Sequence, residues 1–359
     1  MHPDPRRWLV AVATAVLVGA AALPAQQVAL VAPSGFFPNL EAYLESLRLQ
    51  AGIPGMSAAV VQDGEIVWER GFGFQNVAAR VRATPDTPYL VGDATATLAA
   101  VLLLQCVEQR RLSLDAPLDT YGIRTEERGV TIRKLLSHTS TDTFSYNPER
   151  FSQLTAVVEW CVPQPYAKTV SHRLLNRLAM RDSVPGTNLA AGNTGPLEEL
   201  YDSEDLDRYR AVVERMAVPY KVDGRGRVEP SEVPVAGINA AAGLVSTVRD
   251  LARFESAVDS RLLLDDDTLA VAWSPTDRRE GVSVPSGLGW FVQPHRGGRV
   301  VWHFGLLQNA YSSLVLKLPE RRLTFILLAN SDGLSAPFQL GSGDVTRSVF
   351  ATLFLRLAS

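Results

Sequence analysis

An aspartate at the start of a core helix is the first residue whose position suggests chemistry. Residues 90–100 read LVGDATATLAA and continue into VLLLQCVEQRR, so a Gly-Asp turn opens a helix that is apolar on nearly every side. Such a helix is normally buried. Asp93 therefore stands at the mouth of a core helix, where the helix dipole and free N–H groups favour an anion and where enzymes can place a nucleophile.

The elements before this helix are predicted from periodicity and turn residues. FPNLEAYLESLRLQAGIPG predicts an amphipathic helix that ends at Gly52 and Pro54. MSAAVVQDGEIVWERGFGF predicts two strands joined by Asp63-Gly64, which is a strong hairpin signal. A sheet therefore begins early in the chain.

The remainder of the chain returns to strands after a long helical region. From Asp93 to about Arg215, helical spacing is found in 94–110, 150–161 and 206–216, and no strand is obvious. A helix follows Ser246, and strand-like runs return at GLGWFVQ, AYSSLVLKL and LTFILLAN before a closing amphipathic helix. The expected order is helix, hairpin, helical insertion, helix, three strands and helix, with a cleft between two lobes.

Composition excludes several classes of partner. The chain has 359 residues, 46% hydrophobic and 20% charged, with a net charge of −3. It contains no basic run, no low-complexity segment and no solenoid-like repeat, which argues against nucleic acid binding. We expect an ordinary globular protein with a large core.

The N-terminus has the layout of a secretory signal peptide. Arg6 and Arg7 precede an apolar stretch, 8–22, and small residues continue through Ala25. The predicted signal peptide is 1–25, and an uncleaved membrane anchor is the alternative. After cleavage no stable membrane span is expected, and the protein would be periplasmic or extracellular.

Export would lead to an oxidising compartment, where the two cysteines, Cys106 and Cys161, could pair. The bond would close a loop of about fifty residues and contribute ~4 kcal/mol in the chain-entropy model. Both residues are expected to be helical and buried, and buried free thiols are the alternative. The sequence does not decide between a disulfide and two buried free thiols.

Several stretches together resemble the serine β-lactamase-related family, which includes class C β-lactamases, D-alanyl-D-alanine carboxypeptidases and related esterases. They occur in the family's order over about 38–357, and LLSHTS and GLVSTVRDLARF are the most specific. The full set is TPDTPYLVGDATATLAAVLLLQCVEQRRLSLDAPLDTY, VTIRKLLSHTS, PGTNLAAGNTG, INAAAGLVSTVRDLARF, VWHFG and LTFILLANSDG. The resemblance implies an α/β fold of the β-lactamase and penicillin-binding-protein type, an antiparallel sheet flanked by helices, with an inserted helical lobe.

The family's S-x-x-K motif is degenerate in this chain. In the family, the serine at the start of the buried helix attacks a carbonyl and the lysine three residues on helps to activate it. Here the register places Asp93 at the serine and Ala96 at the lysine. No S-x-x-K exists anywhere in the chain, and the nearest pair is Thr131 with Lys134 in a non-catalytic stretch.

The family's Y-x-N motif, usually preceded by P-G-T, is also incomplete. PGTNLAAGNTG puts Asn193 at the asparagine, which contacts the substrate amide in the family, but Ala191 stands where the general-base tyrosine belongs. Tyr146 in FSYNPERF is a weaker substitute, because it lacks the P-G-T lead and has Pro148 at the asparagine position.

The third element, K-T-G or H-x-G on the strand lining the cleft, is present as His303-Phe304-Gly305. In the family the glycine lets substrate approach, and the backbone nearby supplies an oxyanion-hole donor beside the N–H of the nucleophile position. Without the resemblance, Asn193 would be interpreted as a turn residue and His303 as a satisfied strand histidine.

Asp93 has three possible roles, and the sequence favours them in this order: an N-cap of the buried helix, a binding group for a cationic ligand, and a nucleophile. Nucleophilic attack ranks last because it would form an anhydride with no lysine or tyrosine beside it to handle protons.

The sequence therefore predicts an exported domain at 38–357, with a sheet lobe (38–92 and 240–357) and a helical lobe (93–239). Its function is predicted as a catalytically inactive serine-hydrolase homologue whose cleft binds a small molecule, a peptide or a partner. The alternatives are an active esterase or peptidase using other groups, for example Asp93 with His303, and a structural exported domain. No cofactor and no metal are expected.

Overall fold

An antiparallel sheet organises the chain. The computed structural model describes residues 35–125, 128–190, 199–276, 278–279 and 282–358. The strands within these ranges are β1 Gly55–Gln62, β2 Glu65–Asn76, β3 Val81–Arg82, β4 Tyr89–Leu90, β5 Val184–Pro185, β6 Tyr220–Val222, β7 Val228–Pro230, β8 Leu244–Ser246, β9 Arg278–Arg279, β10 Val282–Ser283, β11 Phe291–His295, β12 Gly298–Leu307, β13 Tyr311–Leu318 and β14 Leu323–Ala329.

Helices occupy both ends of the described chain and most of the region between the two groups of long strands. They are α1 Phe36–Gln50, α2 Ala96–Glu108, α3 Ile132–Leu136, α4 Pro148–Ser152, α5 Leu154–Cys161, α6 Tyr166–Val170, α7 Ser203–Glu214, α8 Val248–Asp259, α9 Asp266–Ala272 and α10 Val349–Leu357. Short 3-10 turns and one π-helical turn, Ser171–Asn176, connect them.

The main sheet has seven antiparallel strands in the order β11-β12-β13-β14-β1-β2-β3. The N-terminal hairpin β1–β2 joins the C-terminal strands through β14, with Met56 opposite Ala329. Asp63 and Gly64 both have positive φ in the hairpin turn, as a type I′ turn requires. The predicted hairpin and the α/β fold class are confirmed.

One strand was missing from the predicted order. The C-terminal part of the sheet contains four strands, not three, and the additional strand β12 carries His303 and Gly305. Residues 300–305 of this strand are buried on both faces, so the alternation that marks a half-buried strand is absent. Glycines at 298 and 305 weaken the strand signal further.

Each face of the sheet packs on a separate hydrophobic cluster. Along β1, Ala58 and Val60 lie in a cluster with α1 and α10, whereas Ala59 and Val61 lie in a cluster with α2 and α8. This division follows from the two-residue period of a strand. Helix α2 is buried along nearly its whole length in the second cluster, as predicted from its all-round apolar sequence.

A buried ion cluster joins α8 to the sheet. The Lys317 ammonium on β13 lies 2.6 Å from the Glu255 carboxylate and 2.9 Å from that of Asp259. Its third contact is the Glu255 carbonyl oxygen, so its donors are used within the cluster. The cluster links α8 to β13 of the sheet in the protein interior.

The two cysteines form a disulfide, which resolves the choice that the sequence left open. Cys106 lies in α2 and Cys161 in α5, both fully buried, with a Cα–Cα distance of 6.5 Å. The bond ties the helix that follows Asp93 to the neighbouring helical region.

The predicted signal peptide, 1–25, lies outside the described residues. None of the helices in the described ranges is long and apolar enough to cross a bilayer. The division into a sheet lobe (38–92, 240–357) and a helical lobe (93–239) stays a prediction.

Removing the disulfide should lower the free energy of unfolding. We expect the double variant Cys106→Ala, Cys161→Ala to lose about 2–4 kcal/mol, because the unfolded chain regains the entropy of an open loop. Urea denaturation with and without dithiothreitol measures this. Reductant should lower the wild-type midpoint and leave the double variant unchanged; an unmoved wild-type midpoint would contradict the stabilising role.

Candidate functional site

Asp93 lies in a 3-10 turn, Gly92–Thr95, that leads directly into α2. The expectation that its side chain caps the buried helix is wrong, because neither the turn nor α2 has a side-chain cap hydrogen bond. The turn is closed by Thr95, whose hydroxyl donates to the Gly92 carbonyl over 2.7 Å. The Asp93 carboxyl is thereby left for other contacts.

The carboxyl of Asp93 lies beside the phenol of Tyr146, which lowers the pKa of the carboxyl. Tyr146 lies between α3 and α4, and its ring contacts His138, Phe304 and Phe291 at centroid distances of 4.7, 5.1 and 5.5 Å. These contacts fix the ring of Tyr146 beside Asp93, the residue to which the resemblance assigns the position of the serine.

Residues on either side of Tyr146 fix the backbone that carries it. Asn147 caps α4 by accepting a hydrogen bond from the Arg150 N–H over 2.8 Å. The Asn147 N–H in turn donates to Nδ1 of His138 over 3.3 Å. The LLSHTS stretch and the FSYNPERF stretch are therefore linked by a hydrogen bond beside the site.

Two buried histidines stand behind Tyr146, and both are neutral at pH 7. Burial lowers the pKa of His138 to about 3, assisted by the nearby His303. Burial also lowers the pKa of His303 to about 4. Nδ1 of His303 lies 2.7 Å from the Phe304 carbonyl oxygen, which assigns the proton to that nitrogen. We call Asp93, His138, Tyr146 and His303 the Asp93 site.

Burial raises the pKa of Asp93 to about 7, although the neighbouring Tyr146 phenol acts in the opposite direction. Burial also raises the pKa of Tyr146 well above its usual value, and the adjacent Asp93 adds to this. Near pH 7 the site therefore holds a carboxyl that is partly protonated and a phenol that keeps its proton.

Strand β12 meets the Asp93 turn backbone to backbone. A side chain at Gly305 would overlap the Val91 carbonyl oxygen, and one at Gly92 would approach the Leu306 nitrogen to 2.8 Å. The Ser313 hydroxyl on β13 donates to the same Val91 carbonyl over 2.7 Å. The two glycines allow the backbone of β12 to lie against the Asp93 turn, where the resemblance places an oxyanion hole.

The residue to which the resemblance assigns the lysine position carries only a methyl group. Ala96 opens α2, three residues after Asp93, and is 3% exposed. The pair that most resembles an S-x-x-K motif, Thr131 with Lys134, has a structural role. Thr131 caps α3 by accepting a hydrogen bond from the Lys134 N–H, and the Lys134 ammonium pairs with Asp142 at 2.8 Å.

The degenerate Y-x-N positions, Ala191 and Asn193, lie outside the described residues. The P-G-T lead before them is anchored: the Thr187 hydroxyl donates to the Pro234 carbonyl over 2.5 Å and accepts from the Ala236 N–H over 3.0 Å.

The structure brings together Asp93, Ala96, Gly305 and His303 around the start of α2 and β12. It adds Tyr146 and His138, neither of which was among the predicted site residues. The sequence offers Tyr146 only as a weaker replacement for the family tyrosine. Its contact with Asp93 joins residues 53 apart in sequence, which no local spacing encodes. In the described ranges, no group of three His, Cys, Asp or Glu side chains could hold a metal ion.

The fold agrees with the comparisons with known proteins. The Beta-lactamase family profile matches residues 38–342, so the chain belongs to that family. D-aminopeptidase of Brucella canis is 23% identical over 327 residues, covering 84% of this chain and 61% of the relative. The chain thus spans less than two thirds of the length of the curated relatives it matches.

Solved structures show the same fold. An octameric penicillin-binding protein homologue from Pyrococcus abyssi superposes with a TM-score of 0.65 at 23% identity, over 83% of this chain and 74% of that one. D-amino acid amidase from Ochrobactrum anthropi has a TM-score of 0.67 at 18% identity, over 89% and 99% of the two chains. At these identities the likeness concerns the fold.

Replacing the carboxyl should stabilise the protein at neutral and alkaline pH. The folded-state pKa of Asp93, about 7, exceeds the ordinary value of 3.8, so the folded protein retains a proton that the unfolded chain releases. The contribution of Asp93 to stability is therefore lost as pH rises from about 4 through 7. We expect Asp93→Asn to unfold with a free energy on the order of 2–4 kcal/mol higher at pH 8, and little changed at pH 4.

Urea denaturation of both proteins between pH 4 and pH 8 measures this difference. The exposed Asp207, whose side chain is 77% exposed on α7, provides the matched control Asp207→Asn, which should track the wild type at every pH. A constant difference between Asp93→Asn and wild type across this range would show that the carboxyl is not held in its protonated form.

Proposed function

We propose that this Beta-lactamase family protein does not perform serine acyl transfer and that the Asp93 site binds a ligand or partner. The observation that carries the proposal is a buried carboxyl beside Tyr146 at the position to which the resemblance assigns the nucleophile. With Ala96 at the lysine position, the family's nucleophile and its activating amine are both replaced.

The surrounding groups support binding over covalent catalysis. Attack by Asp93 on an ester or amide would form an anhydride and would need a base or acid to move protons. Tyr146 keeps its proton because burial raises its pKa, and both histidines have pKa values far below 7. Loss of the nucleophile in a serine hydrolase can cost ~10⁶-fold in turnover.

One observation favours a second candidate, a hydrolase in which Asp93 transfers protons. A carboxyl whose pKa is raised to about 7 by burial suits general acid–base catalysis at neutral pH. The predicted partnership of Asp93 with His303 has less support, because Nδ1 of His303 is engaged by the Phe304 carbonyl. Release of a D-amino acid from its p-nitroanilide, abolished in Asp93→Asn, would favour this candidate over ligand binding.

Export is part of the proposal. The layout of 1–25 and the buried Cys106–Cys161 disulfide both suit a protein that matures in an oxidising compartment. Fractionation of the native host with N-terminal sequencing of the mature chain tests it: a mature N-terminus near residue 26 is expected, and a full-length cytoplasmic product would contradict export.

The purified protein should not be acylated. After incubation with a reactive penicillin and, separately, a fluorophosphonate, we expect an unchanged intact mass, because a serine and lysine are absent from positions 93 and 96. A stoichiometric adduct that disappears in Asp93→Asn would overturn the proposal, and an adduct retained in that variant would place reactivity elsewhere.

Restoring the family groups should restore slow acylation. We expect the triple variant Asp93→Ser, Ala96→Lys, Ala191→Tyr to form a mass adduct slowly, because positions 93 and 96 share a helix face and the backbone contact of β12 persists. A misplacement of about 1 Å can cost ~10²-fold, so turnover should remain inefficient. The double variant lacking Ala191→Tyr is the control and should be slower still, by ~10² to 10⁴.

The outcome that contradicts a retained family pocket is a triple variant that melts like the parent and yet forms no adduct with either reagent. A folded but unreactive variant would show that the pocket has been remodelled beyond its three replaced groups.

A further inference from the structure

The first half of β2 is an open edge of the main sheet. Strand β1 lies on one side of β2, whereas β3 pairs with only two residues near the end of β2. Within the described ranges no strand lies beside 65–70. Ile66 and Val67 are 36% and 44% exposed on this edge. An edge strand with exposed apolar side chains is a template for pairing with another strand.

The backbone groups of β2 alternate in direction, and this shows which of them face away from β1. The Gly73 carbonyl accepts a hydrogen bond from the Ala83 N–H over 3.2 Å, so the backbone groups of Gly73 face away from β1. Glu69, four residues earlier, faces the same way because the direction repeats every two residues. In the described part of the chain, no backbone hydrogen bond from outside the β1–β2 ladder reaches Glu69.

A β-bulge turns a second residue of this edge outward. The register with β1 passes from Trp68 to Ile66 and leaves Val67 without an opposite residue. The two bulged residues, Val67 and Trp68, both face the same residue of β1. The next residue that faces away from β1 is therefore Ile66. Ile66 and Glu69 each present an N–H and a carbonyl to the open side of the sheet.

These two positions fit an identical strand. When two copies of β2 lie antiparallel with Ile66 opposite Glu69, the two-fold axis passes between Val67 and Trp68, and both outward-facing residues exchange their backbone hydrogen bonds. From this register we infer that two copies of the protein pair through 65–70 and form a symmetric dimer with one continuous sheet. The dimer needs no group of the Asp93 site, so the inference is independent of the proposed function.

Charge complementarity selects a second copy as the occupant of this edge. In this register, Glu65 of each copy lies opposite Arg70 of the other. Arg70 lies on the α1 face of the sheet, where it pairs with Glu41 at 3.0 Å. Glu65 shares that face, because its neighbour on β1 is Gln62, two residues after Val60, which packs with α1. Opposite charges that face each other across two strands stabilise the pairing.

Both partners of this ion pair are able to form it. Glu65 has no ion pair or hydrogen bond of its side chain in the described ranges. The Arg70 guanidinium has five N–H donors and uses its Nε toward Glu41, so donors remain for Glu65 of the second copy.

The centre of the proposed pairing is apolar. Val67 of each copy lies opposite Trp68 of the other, and the ring of Phe37 on α1 stacks on Trp68 with a centroid distance of 6.2 Å. Pairing would cover these side chains on both sides of the two-fold axis, and the burial of apolar surface favours association.

The space beside this edge is open on both faces of the sheet. A groove of about 780 Å³ lies between α1 and β2 and is lined by Phe37, Trp68 and Arg70. A groove of about 770 Å³ lies between α8 and the start of β2 and is lined by Ile66 and Arg253. A further strand beside β2 would therefore have room on each face.

Sedimentation equilibrium of the purified protein tests the inference over about 5 to 500 µM, the range of a weak to moderate dimer. The variants are Glu65→Arg, Arg70→Glu and the control Asp207→Arg, which reverses a charge that is 77% exposed on α7. We expect wild type and control to dimerise with the same Kd. Each of the other two variants should dimerise at least about tenfold more weakly, because like charges then face each other at both ends of the pairing.

Mixing the two weakened variants gives the sharpest test. In an equimolar mixture of Glu65→Arg and Arg70→Glu, every facing pair again joins an arginine with a glutamate, so the dimer should return. Both variants keep a net negative charge, so overall attraction between them does not explain this result. The double variant Glu65→Arg, Arg70→Glu should dimerise by itself like the wild type.

A further variant tests the backbone pairing. Ile66→Pro removes an N–H that faces away from β1, so it should block the dimer and leave the β1–β2 ladder intact. Thermal melting of every variant shows that it is folded.

Four results would overturn the inference. They are a wild type that stays monomeric at every concentration, a dimer that neither single charge reversal weakens, folded single variants that remain monomeric when mixed, and a folded Ile66→Pro variant that dimerises like the wild type. The first result would leave the edge to an extended segment of a different protein, and the others would place the interface elsewhere.

Discussion

The close approach of β12 to the turn before α2 is the constraint on which the site depends. Gly305 and Gly92 have no side chains, and this lets the strand contact the backbone at Val91 directly. The Ser313 hydroxyl on the neighbouring strand donates a hydrogen bond to the Val91 carbonyl. Because the turn is held against the sheet in this way, residue 93 has a fixed position whatever its side chain is.

That constraint fixes the position of residue 93 independently of its side chain. The backbone contact, the buried helix α2 and its disulfide to α5 set this position. A change of side chain at residue 93 therefore alters charge and protonation at a fixed place in the fold. It need not disturb the packing around it.

The Asp93 carboxyl is placed where it weakens the folded state when ionised. Burial raises its pKa to about 7, and the phenol of Tyr146 offsets only part of that effect. A helix cap would have had the opposite effect on stability, since a cap stabilises the ionised form. An acid that is held at a cost in stability is more readily understood as a functional group than as a structural one.

The sequence by itself determined the elements whose signals are local. The Asp63-Gly64 hairpin, the amphipathic α1 and the apolar α2 follow from turn chemistry and periodicity, and the ordered motifs indicated the family. Periodicity did not indicate strand β12, because burial on both faces removes the alternating pattern; only the resemblance placed His303 and Gly305 on a strand. Tertiary structure alone decided the pairing of Cys106 with Cys161 and the contact of Tyr146 with Asp93. It also decided that Asp93 caps nothing, because each of these depends on which distant segments the folded chain brings together.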